Sequence, residues 1–371
     1  MPRSAVLFLG FIAATLVGRQ LLQGAEPVDP GLRLERAESV RASVGWRDNV
    51  MLSPFSAISR AFVRGEVESF LSARRGDLRF ISLVSGDVLR FVSSPPETAG
   101  EQQWFAHLEG RWQPRASWRV ALKVDGFQQD MVSDLSETEA VRTVLATRVR
   151  GAFATFAPRL ELPAGLALEP FTQVKRIAYS AVPGDYDESR TGVRLEREGS
   201  GRLTLALLAV TQDRRFATRQ QHTAGGRPLA GTRLRFRQQE LSLRAGTRWN
   251  ATGEWKAAVT AGGGRLRDGA SGFFDHDQRH VRAEVGWRPG DWHLLLEAET
   301  RRAEYLVQTV GAGIAPPPRI ADGHTSRLRV ERAFGGGWGT FGEFTWERVR
   351  SNEREFSYRA HGALAGVQRE F

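Results

Sequence analysis

The chain has 371 residues, no cysteine and a mean hydropathy of −0.35. Without cysteine there is no thiol chemistry and no disulfide framework. Its 52 Lys+Arg against 42 Asp+Glu give a net charge of +10, but the charges recur at every second residue and do not gather into the patches that nucleic acid needs.

The chain opens on a leader. Arg3 supplies a positive start, Ala5 to Gly18 is apolar apart from Thr15, and Arg19 to Gly24 is a more polar exit. The apolar run is too short to span a bilayer as a helix, so residues 1–25 read as a signal peptide cut near Gly24 or Ala25. Gln23 and Arg19 depart from the usual cleavage context, and the alternative is an uncleaved anchor. Residues 26–37 read as a periplasmic tether.

From Glu38 to Phe371 the apolar period is two. No later stretch is long and apolar enough for a membrane helix. About sixteen segments of roughly ten residues are expected, within a range of about 14–18, as suits tilted membrane strands. Three are clean. Val40, Ala42, Val44 and Trp46 alternate with polar residues and glycine; so do Trp118, Val120, Leu122 and Val124, and Val281, Ala283, Val285 and Trp287. Leu203 to Val210 is apolar on both faces. The phase reads as shifted near Gln238 to Glu240, as a bulge would cause. Ala152 to Pro163 is ambiguous and is expected to hide one more turn.

Connections alternate in length. Tight turns fall at Arg74 to Asp77, Gln113 to Ala116, Glu198 to Gly201, Asn250 to Gly253, Arg288 to Gly290 and Gly335 to Gly337, rich in turn-forming residues. Longer loops fall between them: Asn49 to Phe55, Ser93 to Glu101, Gln128 to Ala140, Ser180 to Asp187, Asp213 to Ala230, Asp268 to Asp277, Gln308 to Gly323 and Arg350 to Glu355. Short periplasmic turns with longer extracellular loops define an outer-membrane barrel. The fold class is therefore all-β: a transmembrane antiparallel up-and-down β-barrel over residues 38–371, in the bacterial outer membrane after export.

The 10 tryptophans fall on the apolar phase and near segment ends. Trp112 and Trp118, Trp249 and Trp255, and Trp287 and Trp292 flank tight turns, and Trp338 follows one. Trp46, Trp104 and Trp346 stand beside long loops. Indole prefers the membrane interface, so two aromatic girdles are expected. A soluble β core would place tryptophan mid-strand as often.

The opposite phase is charged. Arg41, Arg64, Arg119, Lys123, Arg148, Arg150, Arg194, Arg282, Arg327 and Arg329 are expected to face a lumen, with Glu66, Glu109, Asp125, Glu284, Glu297 and Glu331. Two readings are open: an anion-favouring pore or track for acidic polymer, and a cross-strand salt-bridge network that stiffens the wall. The mixed signs favour the second. Asp275, His276, Asp277 and His280 match no named metal site and read as a solvated loop. No cofactor is expected. His107, His293 and Glu297 face the lumen without an evident serine partner, so an enzyme is not expected.

Val44-Gly45-Trp46-Arg47-Asp48-Asn49-Val50 resembles the opening of β-barrel porins associated with exopolysaccharide or capsule gene sets, where a Gly-aromatic-x-Asp-Asn run ends the first strand. Phe62 to Phe70 and the Gln128 to Leu135 segment are similar to that family too. Arg47 stands where an acid is common, which argues against a cation site. The resemblance implies a passive outer-membrane conduit for small hydrophilic solutes or polysaccharide-related material. A closed-lumen structural or surface-interaction barrel is the alternative. Expected partners are outer-membrane lipid and the barrel-assembly machinery, which would read the terminal Phe371 in phase with Val367 and Ala365.

Overall fold

The computed structural model describes residues 31–55, 57–92, 100–134, 144–180, 184–198, 203–250, 252–311 and 313–371. Sixteen strands follow in chain order: β1 Leu32–Arg47, β2 Arg60–Arg75, β3 Leu78–Phe91, β4 Gly100–Arg115, β5 Trp118–Asp134, β6 Val144–Leu162, β7 Leu166–Tyr179 and β8 Tyr186–Glu198; then β9 Leu203–Phe216, β10 Arg235–Asn250, β11 Glu254–Arg267, β12 His276–Arg288, β13 Trp292–Thr309, β14 Pro318–Ala333, β15 Trp338–Ser351 and β16 Tyr358–Glu370. Each pairs antiparallel with its chain neighbours, and β16 returns to β1. The seam runs from Ser39 opposite Glu370 to Arg47 opposite Gly362. Closure leaves no edge strand within the ring, so backbone groups can be satisfied within the sheet, as a bilayer demands.

Period two in the sequence becomes two walls. Residues directly opposite one another share a face. Following the pairs round from Arg41 through Glu66, Asp87, Gln103 and Gln129 keeps the polar phase of β1–β5 inward, and on β6–β9 the same phase is mixed, with Val149, Phe153, Phe171 and Val210 among Lys175, Glu188 and Arg214. Val40, Val44, Leu122, Val193, Leu241 and Leu243 stand on the other face with much of their surface exposed. Apolar exposure on that scale, ringing the whole barrel, marks a surface that water does not wet. The fold is a transmembrane β-barrel of the outer-membrane type.

Strands run from 13 to 19 residues and so outreach the hydrocarbon. Several expected loop residues are accordingly strand: Gln128 to Asp134, Asp213 to Phe216 and Pro318 to Gly323. Leu32 to Ala37, expected in the tether, pair with Arg75 to Phe70. The expected signal peptide, residues 1–25, lies outside the described residues. So do the Gly199 to Gly201 part of one tight turn, residues 93–99 of one expected loop and residues 135–140 of another.

The turn hidden near Pro163 is Pro163–Gly165, with Ala164 in the left-handed region at φ 62°. At the β2–β3 hairpin only Gly76 and Asp77 intervene. Gly76 takes φ 54°, the sense that a tight hairpin requires. The bulge expected near Gln238 is not there. β10 keeps one register with β9 from Arg235 to Thr247 and with β11 from Arg237 to Asn250. What changes is chemistry along one outward row: Arg235, Arg237 and Gln239 give way to Leu241 and Leu243. A strand leaving the apolar layer mimics a phase shift. Register breaks occur instead at Trp112/Arg115 and Glu304/Thr309.

Candidate functional site: the charged lumen and its mouth

The registers place Arg41, Arg64, Glu66, Arg119, Lys123, Asp125, Arg194, Arg282, Glu284, Arg327 and Arg329 on the inner face. Arg148 and Arg150 do not join them. They pair with Asp130 and Gln128, whose side chains lie on the outer face. The alternation of β6 is masked by small residues on both phases, so the sequence alone misassigned these two.

The inner charges are paired. On the β12–β15 wall Glu297 meets Arg282 at 2.7 Å and Arg327 at 3.7 Å. Arg327 reaches Glu343 at 2.6 Å, and Arg329 reaches Glu343 at 3.3 Å and Glu331 at 2.6 Å. His293 closes the row on Glu331 at 3.2 Å. Three strands further round the ring, Arg64 sits between Glu66 at 2.8 Å and Asp87 at 3.0 Å. His107 lies 2.6 Å from Asp125 and 3.6 Å from Glu109, which Lys123 faces in register. Arg41 donates to Gln368 at 3.2 Å, Arg119 lies 3.7 Å from Glu169, and Arg194 pairs with Glu196. Glu284 has Arg244 at 3.9 Å. The network is cross-strand at Arg282–Glu297, Arg327–Glu343 and Arg64–Asp87, and runs along single strands at Arg64–Glu66, Arg194–Glu196 and Arg329–Glu331. A cavity of about 440 Å³ opens between Arg47, Glu101, Arg282, Glu297, Arg327 and Glu347.

One arc of the inner wall is more basic. Lys175 and Arg214 lie over the Tyr186 ring at 5.8 and 4.5 Å, and Arg190 lies over Phe171 at 5.7 Å. Glu188 takes Arg214 at 2.8 Å and Gln212 at 2.9 Å.

The mouth holds what the sequence did not reveal. The β9–β10 and β11–β12 connections fold inward over β6–β10. Phe274 is 0% exposed and Leu234 is 1% exposed, packed with Val149, Ile177, Tyr186, Phe216, Phe236 and Phe273. The Phe274 ring lies 5.6 Å from Phe236 and 5.1 Å from His222. Ser271 Oγ donates to the His222 carbonyl at 2.6 Å, tying the two loops. Asp268, itself buried, accepts the backbone N–H of Ala270, Gly272 and Phe274. Burial, with the Asp268 charge adding to it, pushes the neighbouring Asp275 carboxyl above the ordinary aspartate range. The only sequence signal was a Phe-Phe pair in a loop otherwise rich in Gly, Ser and Asp.

Asp275, His276, Asp277 and His280 do not converge. Asp275 accepts the Asp268 N–H, the His276 ring turns to the Phe274 carbonyl and Tyr305, and Asp277 pairs with Arg267 at 2.8 Å. No group of acids and histidines among the described residues is set to hold a metal ion.

All ten tryptophans stand on the outer face. Trp249, Trp255 and Trp287 are directly paired and stack, with centroids 5.6 and 5.0 Å apart. Trp112 and Trp118 meet edge to face at 5.2 Å. Arg332 lies over Trp292, and Arg369 over Trp338. Trp46, Trp104 and Trp346 occupy outward positions nearer the opposite end. The Phe371 ring is 62% exposed beside Arg369, and its N–H donates to the Glu38 carbonyl at 2.9 Å.

The motif at the end of β1 proves structural. Asn49 is buried at φ 46°, donating to the carbonyls of Ser53 and Arg359 and accepting the Ser53 N–H. Arg47 spans the lumen edge to both oxygens of Glu101 at 2.9 Å.

No family model matches the chain, and neither does any curated protein. Among solved structures it is similar to an anion-selective porin from Comamonas acidovorans, at 9% identity over 92% of this chain and 100% of that one, with a TM-score of 0.49. It is also similar to OccAB1 of Acinetobacter baumannii, at 8% identity over 91% and 97%, TM-score 0.46. A third is OccK2 (OpdF) of Pseudomonas aeruginosa, at 10% identity over 91% and 98%, TM-score 0.44. The solute preferences of those channels stay theirs.

Proposed function

We propose that the chain is a passive, porin-like conduit for small hydrophilic solutes across the outer membrane. One observation carries this: a closed ring of sixteen strands whose inner face bears charged side chains, among them Arg41, Glu66, Lys123, Arg194, Arg282 and Arg327, and whose outer face exposes apolar ones. A ring of that strand number is wide enough for an aqueous lumen. Passive conduction needs only that wall, and the reading assigns no catalytic residue. The paired charges make the lumen polar without giving it one sign. The unbalanced part is the Lys175, Arg190 and Arg214 arc, which favours anions locally. Polysaccharide-related material is the larger cargo that the Val44 to Val50 resemblance suggests. The barrel-assembly machinery is the partner that would read the last strand.

Single-channel recording in a planar bilayer tests the conduit. Discrete steps, with a modest anion preference from the reversal potential in a salt gradient, are expected. Silence of the folded barrel would leave the second reading, a closed-lumen structural barrel. The inward packing of Phe273, Phe274 and Leu234 is the observation that favours it.

A further inference from the structure

Conduction makes no use of the outer wall at the extracellular end of β6–β10. Outward residues there form two rows of paired positions. The upper row runs Ala152, Arg176, Asp187, Arg215, Arg235. The lower runs Ala154, Val174, Ser189, Asp213, Arg237. Between them lies a groove of about 620 Å³, with Val124, Ala154 and Val174 below and Arg176 and Arg215 above.

The charge in these rows is unbalanced. Arg176, Arg215, Arg235 and Arg237 stand against Asp187 and Asp213. Asp213 is shared by three guanidiniums: Arg215 at 3.0 Å, Arg235, and Arg237 at 4.0 Å. Asp187 is 3.9 Å from Arg176. The side chains of Arg176, Arg215 and Arg237 are 86%, 70% and 68% exposed, so their donors reach outward. No tryptophan among the described residues lies on this arc: Trp46, Trp104 and Trp346 belong to β1, β4 and β15. Arginine takes the interfacial place that indole holds elsewhere.

We propose that this arc binds a phosphorylated glycolipid of the outer leaflet, its phosphates on the arginines and an acyl chain along the groove. The placement rests on the outer-membrane reading above. Guanidinium matches phosphate in geometry and charge, and forms the stronger, charge-assisted kind of hydrogen bond. The lower edge of the groove is apolar at Val124, Ala154 and Val174, which a soluble anion would leave uncovered. The occupant that covers both halves has an anionic head and an apolar tail.

The test is native mass spectrometry of the refolded barrel titrated with lipopolysaccharide of defined lipid A. Parallel arms use the same glycolipid after enzymatic dephosphorylation and inorganic phosphate as competitor. The triple variant R176Q/R215Q/R237Q is expected to bind at least about tenfold more weakly, since each arginine at an anionic surface contributes measurably. The dephosphorylated glycolipid is expected to bind as weakly, and inorganic phosphate not to displace the intact one. R75Q/R197Q, on the outer face at the opposite end, is expected to match the native barrel. Equal binding by the triple variant, equal binding of the dephosphorylated glycolipid, or displacement by inorganic phosphate would each overturn the proposal. If the triple variant does not refold, R237Q alone is read in the same titration, a loss of about threefold supporting the site and no loss overturning it. Conductance is recorded on the same samples. A silent but lipid-binding barrel removes the conduit reading alone, and a conducting barrel indifferent to phosphate removes the lipid site alone.

Discussion

Asp48, just past the end of the first strand, holds His361 of the last. Its carboxylate accepts the His361 backbone N–H and lies 2.9 Å from the ring Nδ1, while the Asp48 N–H donates to the His361 carbonyl at 2.9 Å. Asn49 adds a bond to the Arg359 carbonyl. The seam between β1 and β16 is the one junction with no connecting loop, and these two residues clasp its extracellular end. Asp48→Ala is expected to cost about 1–2 kcal/mol, because the half-buried His361 loses an acceptor for both its backbone N–H and its ring. Asp48→Asn, which keeps an acceptor oxygen, is expected to recover part of it. Urea midpoints of the refolded barrel measure both.

Leu122 and Lys123 are adjacent yet face opposite walls. Leu122 is 56% exposed on the outer face, whereas Lys123 stands opposite Glu109 in the lumen. Leu122→Arg is expected to destabilise the inserted barrel by about 2–4 kcal/mol near mid-membrane. Lys123→Gln is expected to leave insertion intact. Refolding yield into lipid vesicles compares them, and equal tolerance would take this face out of the bilayer.

Connection length carries the topology. The β10–β11 turn beside Asn250 is short, and the β9–β10 loop with Thr223 is long. Thr223→Cys is expected to label on intact cells and Asn250→Cys only after the outer membrane is breached. The reverse pattern would invert the barrel.

The walls were legible because β-strand alternation is a local, two-residue property, and the lumen side of β1–β5 and β12–β15 followed from it directly. Arg148 and Arg150 were misplaced because Ala146, Ala152 and Ala154 offer no apolar contrast. The Gln238 bulge was inferred where Arg237 and Leu241 share one face on either side of the membrane boundary, a change of solvent that period two cannot register. The inward loops were illegible for a different reason: Phe273 and Phe274 find their partners on β6–β10 in three dimensions, and no periodicity marks a loop that turns back into a barrel.

Those loops yield a fourth expectation. Phe274 is fully enclosed, and truncating an enclosed Phe costs about 3–5 kcal/mol in a well-packed core. Phe274→Ala is expected to release the two loops without unfolding the ring, so heat-modifiable mobility stays native while single-channel conductance rises. Protonation acts in the opposite direction. The Asp275 carboxyl is raised by burial, so its folded-state preference is for the neutral form. Its contribution is full below roughly pH 4 and is lost as pH climbs through the raised value. Loop amides are therefore expected to exchange more slowly, after correction for intrinsic rates, at the acid end of that window. Unchanged conductance in Phe274→Ala would mean the loops do not narrow the path.

Phe371 separates assembly from stability. Its ring is largely exposed and buries little, and its N–H supplies one seam bond, to Glu38 at 2.9 Å. A net hydrogen bond of that kind is worth about 1 kcal/mol. Deleting Phe371 is therefore expected to leave refolding in detergent nearly native. In cells the outer-membrane yield is expected to fall steeply, because an exposed aromatic at the end of an unpaired strand is a feature that the unfolded chain can still present. Yield of heat-modifiable protein in the membrane fraction, beside refolding of the same variant in detergent, reads the two effects apart. Native yield in cells would strip Phe371 of any recognition role, and failure in both settings would make it part of the barrel's packing.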